Sequence, residues 1–184
     1  STVKFMFTLN NTDGTNPMTL LSGPHTFFRR MRILCGGQIV EDVDDYNRLC
    51  EMMNVLTSTQ VRINDAVEGS PTWDSAMGAE TLGTNKSKKM GMKLLSGLLN
   101  QNKILPIRYA PIEIELELVT QVSDAQQGAT SWTINDVQLK CDLITLDNAL
   151  DNSYAQHLLS GKALPINYST YISQSQVCTA STFA

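Results

Sequence analysis

The stretch Pro111-Ile112-Glu113-Ile114-Glu115-Leu116-Glu117-Leu118-Val119 constrains this chain more than any other. Four apolar residues alternate with three glutamates, and a period of two is that of a strand, since a helix would scatter both types around its circumference. Parallel strands, covered on both faces, read as continuous apolar runs. A strand with one wet face therefore belongs to an antiparallel sheet packed on one side only.

Other segments repeat the pattern. Val3, Phe5, Phe7 and Leu9 alternate with Lys4, Met6 and Thr8 before the polar turn Asn10 to Pro17. A further extended segment runs from Phe27 to Leu34, with Arg30 and Arg32 between Met31 and Ile33, and stops at Gly36-Gly37. Val137, Leu139, Cys141 and Leu143 alternate with Gln138, Lys140 and Asp142, predicting a strand that continues to Leu146. Ala163 to Ser173 is again extended, aromatic and β-branched in composition.

Two segments change period. From Glu41 to Leu56 the apolar positions Val43, Tyr46, Leu49, Cys50, Met53 and Leu56 follow helical spacing, with Asp42, Asp44 and Asp45 at the end where a helix dipole favours anions. Leu150, Tyr154, His157 and Leu158 do the same before Gly161, a carboxy-terminal cap. Residues 68–89, which hold glycines, Pro71, threonines, serines and Asn85, have no sustained period and read as a long loop excursion. Strands without βαβ alternation predict a mainly β fold, an antiparallel jelly-roll sandwich with two short helical insertions, occupying residues 1–184 as one domain.

Composition narrows the function classes. Fourteen basic residues against eighteen acidic ones, with only 17% charged residues in all, exclude a generally basic nucleic-acid coat and leave a surface of amides and hydroxyls. No apolar run approaches the ~18 residues of a membrane span, and Ser-Thr-Val-Lys-Phe lacks the regions of a signal peptide, so synthesis inside the cell is expected. The cysteines at 35, 50, 141 and 178 lie far apart and read as scattered buried thiols of a reducing compartment. Without an export signal, the sequons at Asn10, Asn85 and Asn167 read as chance matches.

Catalytic chemistry finds little support. His25 sits in a Gly-Pro turn and His157 on an apolar stripe, both better read as packed or surface residues. No nucleophile elbow, phosphate loop or zinc-protease motif occurs, and neither cofactor nor metal is expected. Glu113, Glu115 and Glu117 lie about 6.5 to 7 Å apart along their strand, too far for one ion, and read as a solvated face that could meet basic residues of a neighbour. Arg29, Arg30 and Arg32 form one basic cluster and Lys86, Lys88, Lys89 and Lys93 another, without the interleaved aromatics that stack on bases. Solvated loops, or partners for acidic strand faces, are the better reading of both, with contact to genome phosphate the other one. Of these charged groups, Arg29, Arg30, Arg32, Glu113, Glu115, Glu117, Lys86, Lys88 and Lys89 are the candidate inter-subunit contacts.

Several stretches, in their order and spacing, resemble the double jelly-roll major capsid proteins of the Polinton-like virus, virophage and large eukaryotic DNA virus lineage. They are Phe27-Phe28-Arg29-Arg30-Met31-Arg32-Ile33-Leu34-Cys35-Gly36-Gly37-Gln38-Ile39-Val40-Glu41-Asp42 with Tyr46-Asn47-Arg48, then Leu95-Ser96-Gly97-Leu98-Leu99 running into Leu105-Pro106-Ile107-Arg108-Tyr109-Ala110-Pro111, and Leu158-Leu159-Ser160-Gly161-Lys162 before Leu164-Pro165-Ile166. The resemblance implies a vertical jelly roll in a trimeric, pseudo-hexagonal capsomer of an icosahedral shell around double-stranded DNA, with other copies of the chain as partners, penton or minor capsid proteins as further ones, and the virion as its location. It brings no catalytic residues and no sequence-specific nucleic-acid binding. The chain covers about one jelly roll where the family carries two. It is therefore expected to be one half of a longer polypeptide or a single-jelly-roll penton or minor capsid relative, and a start within a strand favours the former. A β-sandwich module binding carbohydrate or protein through the 68–89 excursion is the alternative.

Overall fold

The computed structural model describes residues 2–67, 81–174 and 176. The amino-terminal alternation becomes β1 (Lys4–Asn11), with Phe5, Phe7, Leu9 and Asn11 turned inward. It is the central strand of an antiparallel sheet, flanked by β6 (Ser87–Lys93) and β9 (Trp132–Lys140). The second sheet centres on β3 (Phe28–Cys35), between β4 (Gln38–Val43) and β7 (Ile112–Leu118). A third, minimal sheet joins β2 (Met18–Leu20), β5 (Thr81–Leu82) and β8 (Gln126–Gln127).

The two larger sheets meet through phenylalanines. Phe5 and Phe7 of β1 pack edge-on against Phe28 of β3 at ring separations of 5.4 and 5.6 Å, and Phe27 stacks edge-on with Trp132 at 4.8 Å. Met31, Ile33, Val43 and Met90 complete the fully buried layer. Removing a ring from such a layer costs about 3–5 kcal/mol. The chain is thus mainly β, with antiparallel sheets arranged as in a sandwich.

Four helices accompany the sheets among the described residues: α1 (Tyr46–Leu56), α2 (Thr59–Val67), the single turn α3 (Gly97–Asn100) and α4 (Asn148–Leu159). That is two more than expected. The helix expected from Glu41 starts at Tyr46 instead. Gly36 and Gly37, at φ +58° and +80°, make the tight turn that lets β4 pair back onto β3, and the residues through Val43 are taken up in that strand. Asp45, at φ +49°, then breaks the strand before the helix begins. The α4 expectation holds, with Gly161 in the left-handed conformation just past the helix end.

The strand expected from Val137 to Leu146 runs instead from Trp132 to Lys140. An extra residue near Asp136, itself at φ +51°, shifts the register opposite Phe7 and hides the alternation, and the ladder with β1 ends at the pair Lys4 and Lys140. Of the 68–89 excursion, residues 68–80 lie outside the described residues. Its end is ordered as β5 and the start of β6, where Met90 and Met92 face Phe7 and Phe5, so it is a loop for part of its length only.

Residues 163–173 are extended as expected but join no sheet. The segment is laid across the body by side chains: Tyr168 Oη donates to the Val40 carbonyl at 2.8 Å, Lys103 Nζ to that of Pro165 at 2.8 Å, and Ser173 Oγ to that of Asp44. The tail passes so close to α3 that a Cβ on Gly97 would stand 1.7 Å from the Ser169 carbonyl oxygen. Gly97→Ala is therefore expected to lift this segment and lower stability by about 1–3 kcal/mol. Urea unfolding and faster proteolysis near Ser169 would register it; an unchanged midpoint would show that the tail is not held there.

Candidate functional site

On the solvent face of the β4-β3-β7 sheet the two charged groups singled out from the sequence meet each other. Register places Arg30 opposite Glu117 and Arg32 opposite Glu115, with Asp42 across from Arg32 on the other side. Arg30 makes a two-pronged contact with Asp42, Nε to Oδ1 at 2.8 Å and Nη2 to Oδ2 at 2.7 Å. This holds the Asp42 carboxyl below its ordinary range and keeps the guanidinium more firmly charged. Arg32 reaches Glu115 at 2.9 Å, while Arg29, the extra residue of β3 at a register shift, lies 3.6 Å from both Asp44 and Glu117. Glu113 stands opposite Leu34. Much of the charge that a neighbour was expected to neutralise is thus neutralised within the chain. The pairs are partly exposed, so each contributes about 0–1 kcal/mol.

The lysines fall on or beside the edge strand β6. Lys88 pairs in register with Leu9 and Lys89 with Thr8, Lys86 precedes the strand, and Lys93 Nζ lies 3.2 Å from Asp65 of α2. The lysines thus lie on a different sheet from the arginine and glutamate cluster. At the other edge of the same sheet, β9 presents apolar residues. Leu139 stands opposite Phe5, on the inner side of its sheet, yet is 50% exposed, and Leu143 just beyond the strand is 71% exposed. Val137, Ile144 and, on β7, Leu118 are exposed too.

The strands at the opposite side are sealed. Glu41, buried on β4, accepts hydrogen bonds from Ser96 Oγ, from Gly97 N at 2.8 Å and from Leu98 N at 3.2 Å, while Tyr46 Oη accepts from Leu95 N at 2.8 Å. A polar knot pins the minimal sheet. Asn11 Nδ2 donates to the carbonyls of Asn16, Leu82 and Gly83, and Asp13 accepts from Thr15 N, Asn16 N and both Thr130 N and Oγ1 at 2.7–3.0 Å. Those donors, Thr130 N first, hold the Asp13 carboxyl far below the usual carboxylate range.

His25 is buried in the short helical turn Pro24–Phe27. Its Nε2 has no hydrogen-bond partner, and burial lowers its pKa to about 4. His157 on α4 is half-buried. The expectation of buried thiols holds for Cys50, whose thiol burial pushes up to about 12, but Cys35 is partly exposed and Cys141 exposed, because the strand that would have buried Cys141 ends before it. Cys178 lies outside the described residues. Among the described residues no group of three His, Cys, Asp or Glu side chains is arranged to hold a metal ion, and no helix is long and apolar enough to cross a membrane.

Compared with known proteins, the chain matches no family model, no curated protein and no solved structure.

Glu41, Asp13 and the His25 environment were not singled out from the sequence. Asn11-Thr12-Asp13-Gly14 is a turn signature from which the Asp13 knot was partly readable. Glu41 belongs to a site completed 55 residues later, which no local pattern reveals. Glu41→Gln would turn an amide N–H toward one of three donors, and a loss of about 1–3 kcal/mol in urea unfolding is expected. A depressed histidine pKa means that the unfolded chain takes up the proton first. Stability should therefore fall from pH 6.5 toward 4, by about 3 kcal/mol for a shift of this size, with Asp13 adding a further decline below the ordinary carboxylate pKa. Thermal unfolding from pH 7 to 3 reads both, and His25→Phe should flatten the upper part only.

Proposed function

We propose that the chain is a structural capsid protein, a jelly roll that associates with other copies of itself into trimeric, pseudo-hexagonal capsomers of a shell around double-stranded DNA. One observation carries this reading: on the edge strand β9, Leu139 stands on the inner side of its sheet opposite Phe5 yet is half exposed, and Val137 on the same strand and Leu143 and Ile144 just beyond it are exposed as well. Apolar surface of this kind on a sheet edge is a liability in an isolated monomer and is ordinarily covered by a neighbour. The low charge fits close packing of identical copies. The fully hydrogen-bonded burial of Glu41 and Asp13 fits a scaffold role, and it is the resemblance of the sequence motifs to those of the capsid lineage that suggests which assembly this would be.

Mass photometry and sedimentation across concentration test the proposal. Association should appear as concentration rises, and Leu139→Lys with Val137→Lys should abolish it while changing monomer stability by about 0.5 kcal/mol or less, as exposed substitutions do. A chain that stays monomeric under crowding salts, or association indifferent to both lysines, would overturn the proposed surface. An intact native polypeptide of ~50 kDa or above would indicate the two-jelly-roll form over the penton-like one.

A further inference from the structure

β9 lies at the end of its sheet, paired with β1 alone among the described residues, so the backbone groups along its other side are open to a further strand. The five exposed residues that end it, Asp136-Val137-Gln138-Leu139-Lys140, set what such a strand must look like. Side-chain direction alternates along them. Leu139 is on the inner side of the sheet, opposite Phe5, and Val137 shares that side. Gln138 and Lys140 stand opposite Met6 and Lys4 on the outer face, where the Asp136 carboxylate accepts from the Thr8 hydroxyl at 3.2 Å. Neither Asp136 nor Lys140 makes an ion pair among the described residues.

Reversed, the same five residues are their own complement. In an antiparallel pair of two copies centred on Gln138, Val137 of each stands opposite Leu139 of the other, and Asp136 of each opposite Lys140 of the other. Apolar residues meet on the inner side and opposite charges on the outer one, each twice. The adjacent registers lack this. Centred on Leu139, Asp136 would face Asp142; centred on Val137, Leu139 would face the outward Asn135 and Lys140 the inward Ile134. A strand carrying charge of one sign would satisfy one end of the stretch and repel the other, so the charge pattern selects a second copy of this chain.

We propose that two copies join their β9 strands antiparallel about a two-fold axis at Gln138, forming one continuous six-stranded sheet, with the Asp136–Lys140 pairs at both ends fixing the register. The proposal rests on β9 being a surface of self-association and states how the copies meet there. Such a contact joins two copies and cannot close a ring of three, so in a shell it lies between neighbouring capsomers.

The test uses the full chain with Cys141→Ser, which removes an exposed thiol, in two arms. In the first, Gln138→Cys should give a disulfide-linked dimer under mild oxidation, because directly opposed residues bring their Cβ atoms to about 4.5–5.5 Å. Lys140→Cys should not, since the two copies of residue 140 would lie four positions apart along the strands, roughly 13 Å. In the second arm, sedimentation equilibrium should show Lys140→Asp and Asp136→Lys each weakening dimerisation about tenfold or more, since either one turns two attractive pairs into repulsive ones. An equimolar mixture of the two should pair as tightly as the parent chain, each copy supplying the charge that the other lacks. Asp136 has φ +51°, where lysine is strained, so thermal unfolding checks that this variant folds; where it does not, Lys140→Asp and the cross-links decide. Association unchanged by Lys140→Asp, a mixture of folded variants no tighter than its components, or a Gln138→Cys chain that associates without cross-linking would overturn the two-fold register while leaving β9 a self-association surface of another geometry. A parent chain monomeric at every concentration would overturn both readings and assign the β9 edge to a different protein.

Discussion

Everything else in this protein hangs on the edge-to-face packing of Phe5 and Phe7 against Phe28. That contact sets one sheet over the other and decides which face of each strand is inside. Because strand side chains alternate strictly, fixing the inner face of β1 also fixes those of β6 and β9 through their register, and fixing β3 does the same for β4 and β7. Phe27, next in the chain, extends the cluster to Trp132 and so ties the start of β9 to the start of β3. Aromatic rings provide large buried area and a geometric preference at once, which a layer of leucines would not.

The consequence of that inner-face assignment is an asymmetric sandwich. At the β4 and β6 side, the buried Glu41 and Tyr46 hold the Leu95–Leu98 segment by backbone hydrogen bonds, and the tail from Pro165 to Ser173 is strapped over the same region. At the β7 and β9 side, the inward-turned Leu139 looks onto solvent. The same alternation that builds the core thus leaves an unburied remainder along β9, and the proposed self-association is the way to bury it. The charged face does not compete for that role, since Arg29, Arg30 and Arg32 pair largely with carboxylates of their own sheet.

What the sequence showed was what periodicity can show. The β7 run, β1, β3 with its Gly-Gly turn, and α4 with Gly161 were legible because each signal is local: alternation, a positive-φ turn, a helix stop. Reading failed where one residue is inserted or where pairing is decided elsewhere. The extra residue near Asp136 offsets β9 by one, and the helical spacing from Val43 to Leu56 concealed that its first part is drawn into β4 by the hairpin. The glutamates lie on the exposed face of β7, as alternation indicates, whereas the lysines, read as part of a loop, lie on or beside β6, and the pairing of the arginines with carboxylates depends on strand order, which alternation does not encode.

The sequence by itself determined that this chain is mainly β, antiparallel and wet on one face of its sheets, because side-chain period is a property of the local backbone. Tertiary structure alone decided which edges are sealed and which are open, and that Glu41 and Asp13 are buried acceptors. Those facts depend on residues from distant segments arriving at one place, and the physical reason they arrive there is the burial of four phenylalanines between two sheets.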